Sequence, residues 1–154
     1  MTTIRVTCET NVPPDRVLYA ARDFTERRAD IFPAVSMPKL KVHAEGGTSA
    51  DVTEGTRAGI GDNWERCDYD WSQPDTVIAT VTDSNVYAVP GSSWELKATP
   101  NDGGSLVEMV WIREFKPNAR GRIFGTAFRL IGQRIFNGYG REIIENIEKA
   151  EGAN

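Results

Sequence analysis

Histidine and cysteine are nearly absent from this sequence, which has one His and two Cys among 154 residues. Side chains of these types are too few for a zinc site, and a lone His allows only one Ser-His-Asp or Cys-His arrangement. Cys8 and Cys67 can form at most one disulfide, and a chain of this length buries a core without one. We expect reduced thiols in the core and no metal site.

Long apolar runs and a strong excess of one charge are also missing. The most apolar stretch, residues 123–136, contains Arg129, Gln133 and Arg134, whereas a bilayer-spanning helix needs about 20 apolar residues. Residues 1–15 have no continuous apolar segment of the kind found in secretory signals. The net charge of −4 creates no strong field to attract a nucleic acid. The sequence therefore predicts one cytoplasmic domain over residues 1–154, without stable membrane insertion and without a nucleic-acid partner.

Glycine-rich phosphate loops are not found either. Gly55, Gly59 and Gly61 do not have the G-x-G-x-x-G spacing, and no G-x-x-x-x-G-K-[ST] segment occurs. These motifs hold phosphates because successive backbone N–H groups converge on the anion at a helix N-terminus. We therefore expect no nucleotide and no other cofactor.

Alternation of apolar and polar residues is the main pattern that is present, and it predicts strands over much of the chain. Residues 3–9 alternate strictly, as a half-buried strand does. Proline and helical spacing then predict two short helices, the second ending before Pro33. Turn residues divide the next segment into six further strands, predicted at 39–45, 49–56, 63–71, 76–87, 93–99 and 105–115. Consecutive strands joined by short turns indicate an antiparallel sheet.

After Pro117 the apolar period becomes helical. Apolar residues recur three or four positions apart, at Phe124, Phe128, Ile131, Ile135, Tyr139, Ile143 and Ile147. They predict one amphipathic helix of about 30 residues, long enough to cross a seven-stranded sheet. Gly132, Gly138 and Gly140 inside this helix predict a kink or a close backbone contact. The fold class is therefore α+β, with one long C-terminal helix over a curved antiparallel sheet.

Four short stretches resemble segments of a known superfamily. They are ADVTEGT at 50–56, YDWSQP at 69–74, Ser84-Asn85 followed by Pro90-Gly91-Ser92, and Gly103-Gly104-Ser105. With the order of the elements, they are similar to the START-like (SRPBCC) superfamily and its actinobacterial polyketide cyclase/dehydrase and lipid-transport members. The resemblance implies a helix-grip fold, in which a seven-stranded sheet wraps around the C-terminal helix. It also implies a ligand such as a lipid, hormone or polyketide, and in some members catalysis.

A single helix rarely fills the concave face of a strongly curved sheet, so we expect a cavity of about 300 to 1,000 Å³. Alternation predicts three inward sets: Leu40, Val42 and Ala44; Val77, Ala79 and Val81; and Trp94, Leu96 and Ala98. In two strands the odd-numbered and the even-numbered residues are both candidates for the inward face. The odd-numbered sets are Glu65, Cys67, Tyr69 and Trp71 in one strand and Val107, Met109, Trp111 and Arg113 in the other. The register of 63–71 and 105–115 is left open.

Candidate site residues follow from these sets. The predicted ligand-binding residues are Tyr69, Trp71, Asn85, Trp94, Trp111, Phe128, Ile131 and Ile135. If the protein is an enzyme, Glu65, Tyr69 and Arg113 are the candidates for proton transfer. The sequence favours a solvent or rim position for Glu54 and Glu65, because buried carboxylates are rare unless paired. His43 falls on the outer face of its strand, so no catalytic His is predicted.

Charge is unevenly distributed along the long helix. Its first two-thirds carry Arg120, Arg122, Arg129, Arg134 and Arg141, while glutamates load its end, the reverse of what the helix dipole prefers. These arginines either attract the carboxylate or phosphate head of an amphiphilic ligand or form a solvated face. The sequence favours the solvated face, paired with acidic residues of neighbouring loops.

Three functions remain open from the sequence. The preferred one is binding or carriage of a hydrophobic, lipid-like or polyketide-like small molecule, because no complete catalytic set is visible. The second is a polyketide aromatase/cyclase or dehydratase-like enzyme. The third is an interaction protein, with a homodimer as one form, whose cavity is fully packed by aromatic side chains.

Overall fold

The computed structural model describes residues 1–56 and 62–152, and within them seven strands and three α-helices. The strands are β1 (Thr2–Thr10), β2 (Lys41–Glu45), β3 (Ser49–Thr56), β4 (Asn63–Asp70), β5 (Thr76–Ser84), β6 (Ser93–Asn101) and β7 (Gly104–Arg113). The helices are α1 (Pro14–Ala21), α2 (Arg28–Ile31) and α3 (Ala119–Glu151), and a 3-10 turn at Met37–Lys39 precedes β2. Gly59 and Gly61 lie outside the described residues.

All seven strands form one antiparallel sheet in the order β1-β7-β6-β5-β4-β3-β2. Consecutive strands are neighbours from β2 to β7, and β1 lies beside β7 at one edge of the sheet. The two short helices lie between β1 and β2, and α3 follows the last strand. The predicted α+β helix-grip fold is confirmed. The strand boundaries differ from the predicted ones by three residues at most.

The register of the two undecided strands places the odd-numbered residues inward. Cys67 and Tyr69 on β4 are buried, as are Val107, Met109 and Trp111 on β7. The even-numbered residues of β7, Leu106, Val110 and Ile112, are only half-buried. The buried set therefore continues across the sheet with Val77, Ala79 and Val81 of β5 and Trp94, Leu96 and Ala98 of β6, as alternation predicts.

The predicted inward set of the second strand is wrong. Residues 41–49 are exposed, and Val42 keeps 39% of its surface accessible. Leu40 precedes β2 and is half-buried, while Ala44 is exposed after a register irregularity between Val42 and Ala44. These residues are exposed because β2 lies at one edge of the sheet, whereas α3 packs on β1 at the opposite edge.

Two glycines bring α3 close to the sheet. A Cβ at Gly132 would lie 2.7 Å from Cδ1 of Ile4, and a Cβ at Gly140 would lie 2.8 Å from Cγ1 of Val6. The predicted close contact therefore forms at these two positions, whereas Gly138 has no heavy atom within 4 Å of an added Cβ. Because the glycine side of the helix faces the sheet, Ile131 and Ile135 point outward and are 51% and 54% exposed. The predicted apolar stripe is wrong at those two positions.

Candidate ligand cavity

A cavity of about 160 Å³ lies between the concave face of the sheet and α3. Eight aromatic residues contribute to its wall: Phe32, Trp64, Tyr69, Tyr87, Trp94, Trp111, Phe136 and Tyr139. The volume is smaller than the predicted 300 to 1,000 Å³, because the aromatic rings fill much of the concavity. A dry apolar cavity of about 150 Å³ is known to accept benzene, so this space suits one aromatic ring or a molecule of similar size.

The strand register aligns the wall residues in one row across the sheet. Tyr69 of β4 is opposite Ala79 of β5, Ala79 is opposite Trp94 of β6, and Trp94 is opposite Trp111 of β7. Directly opposed residues of an antiparallel sheet share a face, so all four contribute to the concave side. The small Ala79 separates Tyr69 from Trp94, whose ring centroids lie 6.5 Å apart. A larger residue at 79 would occupy space between the two rings.

One end of the wall is held by a buried ion pair between α2 and β3. Arg28 Nε donates to Glu54 Oε1 at 2.6 Å, and Arg28 Nη2 donates to the Tyr69 hydroxyl at 2.9 Å. The Tyr69 hydroxyl donates in turn to Glu54 Oε2 at 2.6 Å, and Arg28 Nη1 donates to the Ala21 carbonyl at 2.9 Å. Burial raises the pKa of Tyr69, and the Glu54 carboxylate adds to that effect. Each member of this cluster is satisfied, so it orients Tyr69 and has no unused polar group for a ligand.

A second charged pair, between Glu65 of β4 and Arg113 of β7, is much looser. Arg113 Nη2 lies 3.4 Å from Glu65 Oε1, and Nη1 lies 3.4 Å from the Ser93 carbonyl, both long for charge-assisted hydrogen bonds. The guanidinium also lies over the Tyr87 ring, 4.5 Å from its centroid. Burial raises the pKa of the Glu65 carboxyl, and the Arg113 charge opposes that shift. Glu65 keeps 22% of its side-chain surface accessible, and it lines the cavity.

Unpartnered polar atoms collect at this end of the cavity. Among the described residues, the buried side-chain atoms without a hydrogen-bond partner are Thr56 Oγ1, Asn63 Oδ1, Glu65 Oε2 and Arg113 Nε. All four residues line the cavity. Such groups are normally paired in folded proteins, because leaving one unpaired costs about 1 to 3 kcal/mol. Their grouping gives the cavity an aromatic body and one polar end with both an acceptor and a donor.

Five of the predicted site residues do line the cavity: Glu65, Tyr69, Trp94, Trp111 and Arg113. The preference for a solvent or rim position of the two glutamates is wrong. Glu54 is buried against Arg28, and Glu65 faces the cavity opposite Arg113. Both carboxylates are paired with arginine, which is the condition under which burial is tolerated.

The other five predicted ligand-binding residues do not line the cavity. Trp71 donates from Nε1 to the Gly47 carbonyl at 3.0 Å, and the Asn85 side chain accepts from the Trp64 backbone N–H at 3.0 Å. Phe128 packs on Phe115 and Phe136, with centroids 5.5 and 5.2 Å apart. Ile131 and Ile135 are on the outer side of α3, as described above. His43 is exposed, with Nε2 2.7 Å from Thr53 Oγ1, as predicted for the outer face.

Sequence reasoning missed several residues of the site. Phe136 and Tyr139 supply the helix wall, and Arg28 and Phe32 supply the α2 side. Gly132, Gly140 and the buried Ile143 mark the sheet-facing side of α3, so the glycines were the signal that could have identified Phe136 and Tyr139. Nothing in the periodicity points to Arg28, because its partner Glu54 lies 26 positions away.

Within residues 1–56 and 62–152, no three His, Cys, Asp or Glu side chains are grouped as metal ligands. None of the helices in that part of the chain is long and apolar enough to cross a membrane. The polar groups of the described residues that line the cavity include carboxylate, guanidinium, amide, hydroxyl, thiol and indole groups.

Comparison of the sequence with models of known protein families finds a match. The model of a family described as polyketide cyclase / dehydrase and lipid transport matches residues 1–150. A search of the curated proteins finds no significant match.

Three solved structures are similar over almost the whole chain. A protein from Thermus thermophilus has a TM-score of 0.78 at 15% identity, covering 97% of this chain and 99% of its own. An aromatase/cyclase from Streptomyces sp. R1128 has a TM-score of 0.75 at 13% identity, covering 97% and 95%. A START superfamily protein from Mycobacterium smegmatis has a TM-score of 0.75 at 10% identity, covering 96% and 98%. At these identities the likeness shows a shared fold.

Proposed function

The chain belongs to the polyketide cyclase/dehydrase and lipid transport family, and on that premise we propose that it binds or carries a hydrophobic small molecule between the sheet and α3. One observation carries the proposal: an aromatic cavity whose polar end holds the unpartnered atoms Glu65 Oε2 and Arg113 Nε. Burial of apolar ligand surface, worth about 25 cal/mol per Å², would drive binding. The polar end would orient the ligand.

The polar end also defines the chemical class of the ligand. Glu65 Oε2 accepts a hydrogen bond and Arg113 Nε donates one, so a hydroxyl group of the ligand can satisfy both. A phenol or the enol of a polyketide-like molecule supplies such a hydroxyl on a flat apolar body. A cavity of about 160 Å³ accepts one ring of this kind, whereas a long lipid chain requires the aromatic wall to move apart.

A pair of probes matched in size tests this proposal. We expect phenol to bind more tightly than toluene, by about tenfold or more, because a hydrogen bond to a charged group contributes about 1.5 to 3 kcal/mol. Glu65→Gln removes the charge and should lower the phenol affinity toward that of toluene, and Glu108→Gln on the exposed face of β7 should change neither affinity. Calorimetric titration gives the affinities. Equal affinities for the two probes, or no binding of either, would contradict the proposal.

The natural ligand requires a separate measurement. Native mass spectrometry of the protein from its expression host, followed by denaturing extraction, is expected to release an apolar or amphiphilic molecule with at least one hydroxyl. An extracted molecule without any polar group would contradict the assignment of the polar end.

A second candidate function is proton transfer in a polyketide aromatase/cyclase or dehydratase-like enzyme. The observation that favours it is Glu65, whose carboxyl pKa is raised by burial toward the range useful in acid-base catalysis. One neighbour of similar fold is described as an aromatase/cyclase. Tyr69 is less suited to this role, since its hydroxyl already donates to Glu54.

One variant, Glu65→Gln, distinguishes a carrier from an enzyme. With a linear poly-β-ketone as substrate, an enzyme should lose turnover in Glu65→Gln and keep its affinity for the apolar probe, whereas a carrier has no turnover to lose. The third interpretation, a fully packed cavity in a homodimer, is weakened by the open 160 Å³. The cytoplasmic location remains a prediction, with which the free thiols of Cys8 and Cys67 agree.

A further inference from the structure

The outer side of the first half of α3 exposes an unusual amount of apolar surface. Of eight large apolar side chains that are exposed in the described part of the chain, four lie here: Ile123, Leu130, Ile131 and Ile135, at 62%, 75%, 51% and 54%. Ile123, Ile131 and Ile135 follow one i, i+4 row with Ala127 between them, and Leu130 lies beside that row. We call these four residues the α3 apolar face. They do not pack against the core, so the fold does not account for them.

The same segment is strongly basic. Residues 116–141 contain Lys116 and five arginines, Arg120, Arg122, Arg129, Arg134 and Arg141, and no Asp or Glu. The segment therefore carries +6 in a chain whose net charge is −4. None of these arginines lies within 4.0 Å of a carboxylate among the described residues, so the predicted pairing with acidic loops is not found there. The cations are available to an external anion.

Apolar side chains among unpaired cations on a helix match the surface of an anionic lipid bilayer. The apolar side chains enter the boundary between headgroups and acyl chains, while Arg120, Arg134 and Arg141, which helical spacing places on the same side of α3, contact lipid phosphates. We propose that the α3 apolar face and its arginines dock the protein on such a surface. This docking is independent of which ligand occupies the cavity.

A second copy of the chain fits this face poorly. A two-fold contact centred on Leu130 would place residues 116–141 of one copy against the same segment of the other, with +6 on each side. A bilayer also meets the helix already formed, because the contacts of Gly132 and Gly140 with β1 hold α3 on the sheet. Docking therefore needs little further ordering of the protein.

Docking would bring the cavity close to the lipid. Phe136 and Tyr139 line the cavity from the inner side of the helix that carries Leu130 and Ile135 on its outer side. The helix wall of the cavity would then lie directly above the headgroups, where an amphiphilic ligand partitions.

Vesicle sedimentation tests the proposal. Vesicles of phosphatidylcholine mixed with phosphatidylglycerol should bind the protein despite its net charge of −4, and vesicles of phosphatidylcholine alone should not. Leu130→Ser and Arg134→Glu should each weaken partitioning about tenfold or more, since one removes an apolar side chain from the docked face and the other reverses a charge. Added salt should release the protein.

Matched controls lie on β2, at the sheet edge opposite β1. Val42→Ser and Lys41→Glu make comparable changes, an apolar side chain to Ser and a cation to Glu, at exposed positions and should leave vesicle binding unchanged. The proposal is overturned by absence of binding to anionic vesicles or by equal loss in the controls. Self-association that Leu130→Ser abolishes would also overturn it, and would assign the face to a second copy. Circular dichroism verifies that each variant is folded.

Discussion

Replacing Arg28 with methionine tests whether the buried ion pair with Glu54 holds the α2 side of the cavity in place. The Arg28 side chain is 2% exposed and donates to Glu54 at 2.6 Å, to Tyr69 at 2.9 Å and to the Ala21 carbonyl at 2.9 Å. Methionine has an unbranched side chain that can fill much of the same space, but it has no charge and no donor. The substitution therefore removes the cation and leaves the carboxylate buried.

The expected loss in the free energy of unfolding is about 3 to 5 kcal/mol, because the remaining charge is uncompensated in a low-dielectric site. Among the described residues, Glu54 would keep only the hydrogen bond from the Tyr69 hydroxyl. The double variant Arg28→Met with Glu54→Gln should be more stable than Arg28→Met alone, since no unpaired charge remains.

Urea unfolding followed by tryptophan fluorescence gives these free energies, with Trp94 and Trp111 as reporters near the cavity. Arg16→Met is the control, because Arg16 pairs with Glu151 at 2.8 Å but keeps 54% of its side-chain surface exposed. That variant should lose much less stability than Arg28→Met, because an exposed ion pair contributes little. If Arg28→Met costs no more than Arg16→Met, or if the double variant is less stable than Arg28→Met, the reasoning is refuted.

Two further predictions concern Glu65 and the glycines of α3. Burial raises the pKa of the Glu65 carboxyl in the folded protein above 4.5, its value in the unfolded chain. The protonated carboxyl therefore contributes stability below pH 4.5, and this contribution is lost as the pH rises through the folded pKa. Relative to wild type, the unfolding free energy of Glu65→Gln should therefore increase from pH 4 toward neutral in urea titrations; a constant difference contradicts this. Gly121→Ala should destabilise by about 1 to 3 kcal/mol in thermal unfolding, because its Cβ would lie 2.0 Å from the Lys116 carbonyl oxygen. Gly138→Ala, with open space around the Cβ, should stabilise by up to about 1 kcal/mol, and equal effects of the two would argue against the contact.

The spacing of apolar residues along the sequence predicted most of the strands and helices, because this spacing reflects the local geometry of the backbone. Strict alternation in residues 3–9 requires a strand with one buried face, and β1 is found at Thr2–Thr10. The change to a helical period after Pro117 predicted α3, which begins at Ala119. Alternation also placed Trp94 on the inner face, where it lines the cavity, but it left open the register of the strands that carry Tyr69 and Trp111.

Tertiary contacts decided where the pattern and the structure differ. The alternation of Val42 and Ala44 predicted a buried face for their strand, but β2 is an edge strand and its described residues are exposed. The stripe of isoleucines in α3 was misleading at Ile131 and Ile135, because Gly132 and Gly140 approach β1 more closely than a side chain allows. Periodicity records which residues are apolar, whereas burial depends on which element packs on them.

By itself, the sequence determined the order of the elements, the antiparallel sheet, the long terminal helix and the aromatic character of the concave face. Only the tertiary structure brought Arg28 to Glu54 and Glu65 to Arg113, pairs separated by 26 and 48 positions along the chain. Local propensity acts over a few residues, while the pairing and the desolvation of charges depend on strands and helices that meet only in the folded state. The polar end of the cavity, which defines the proposed ligand, is therefore a property of the fold.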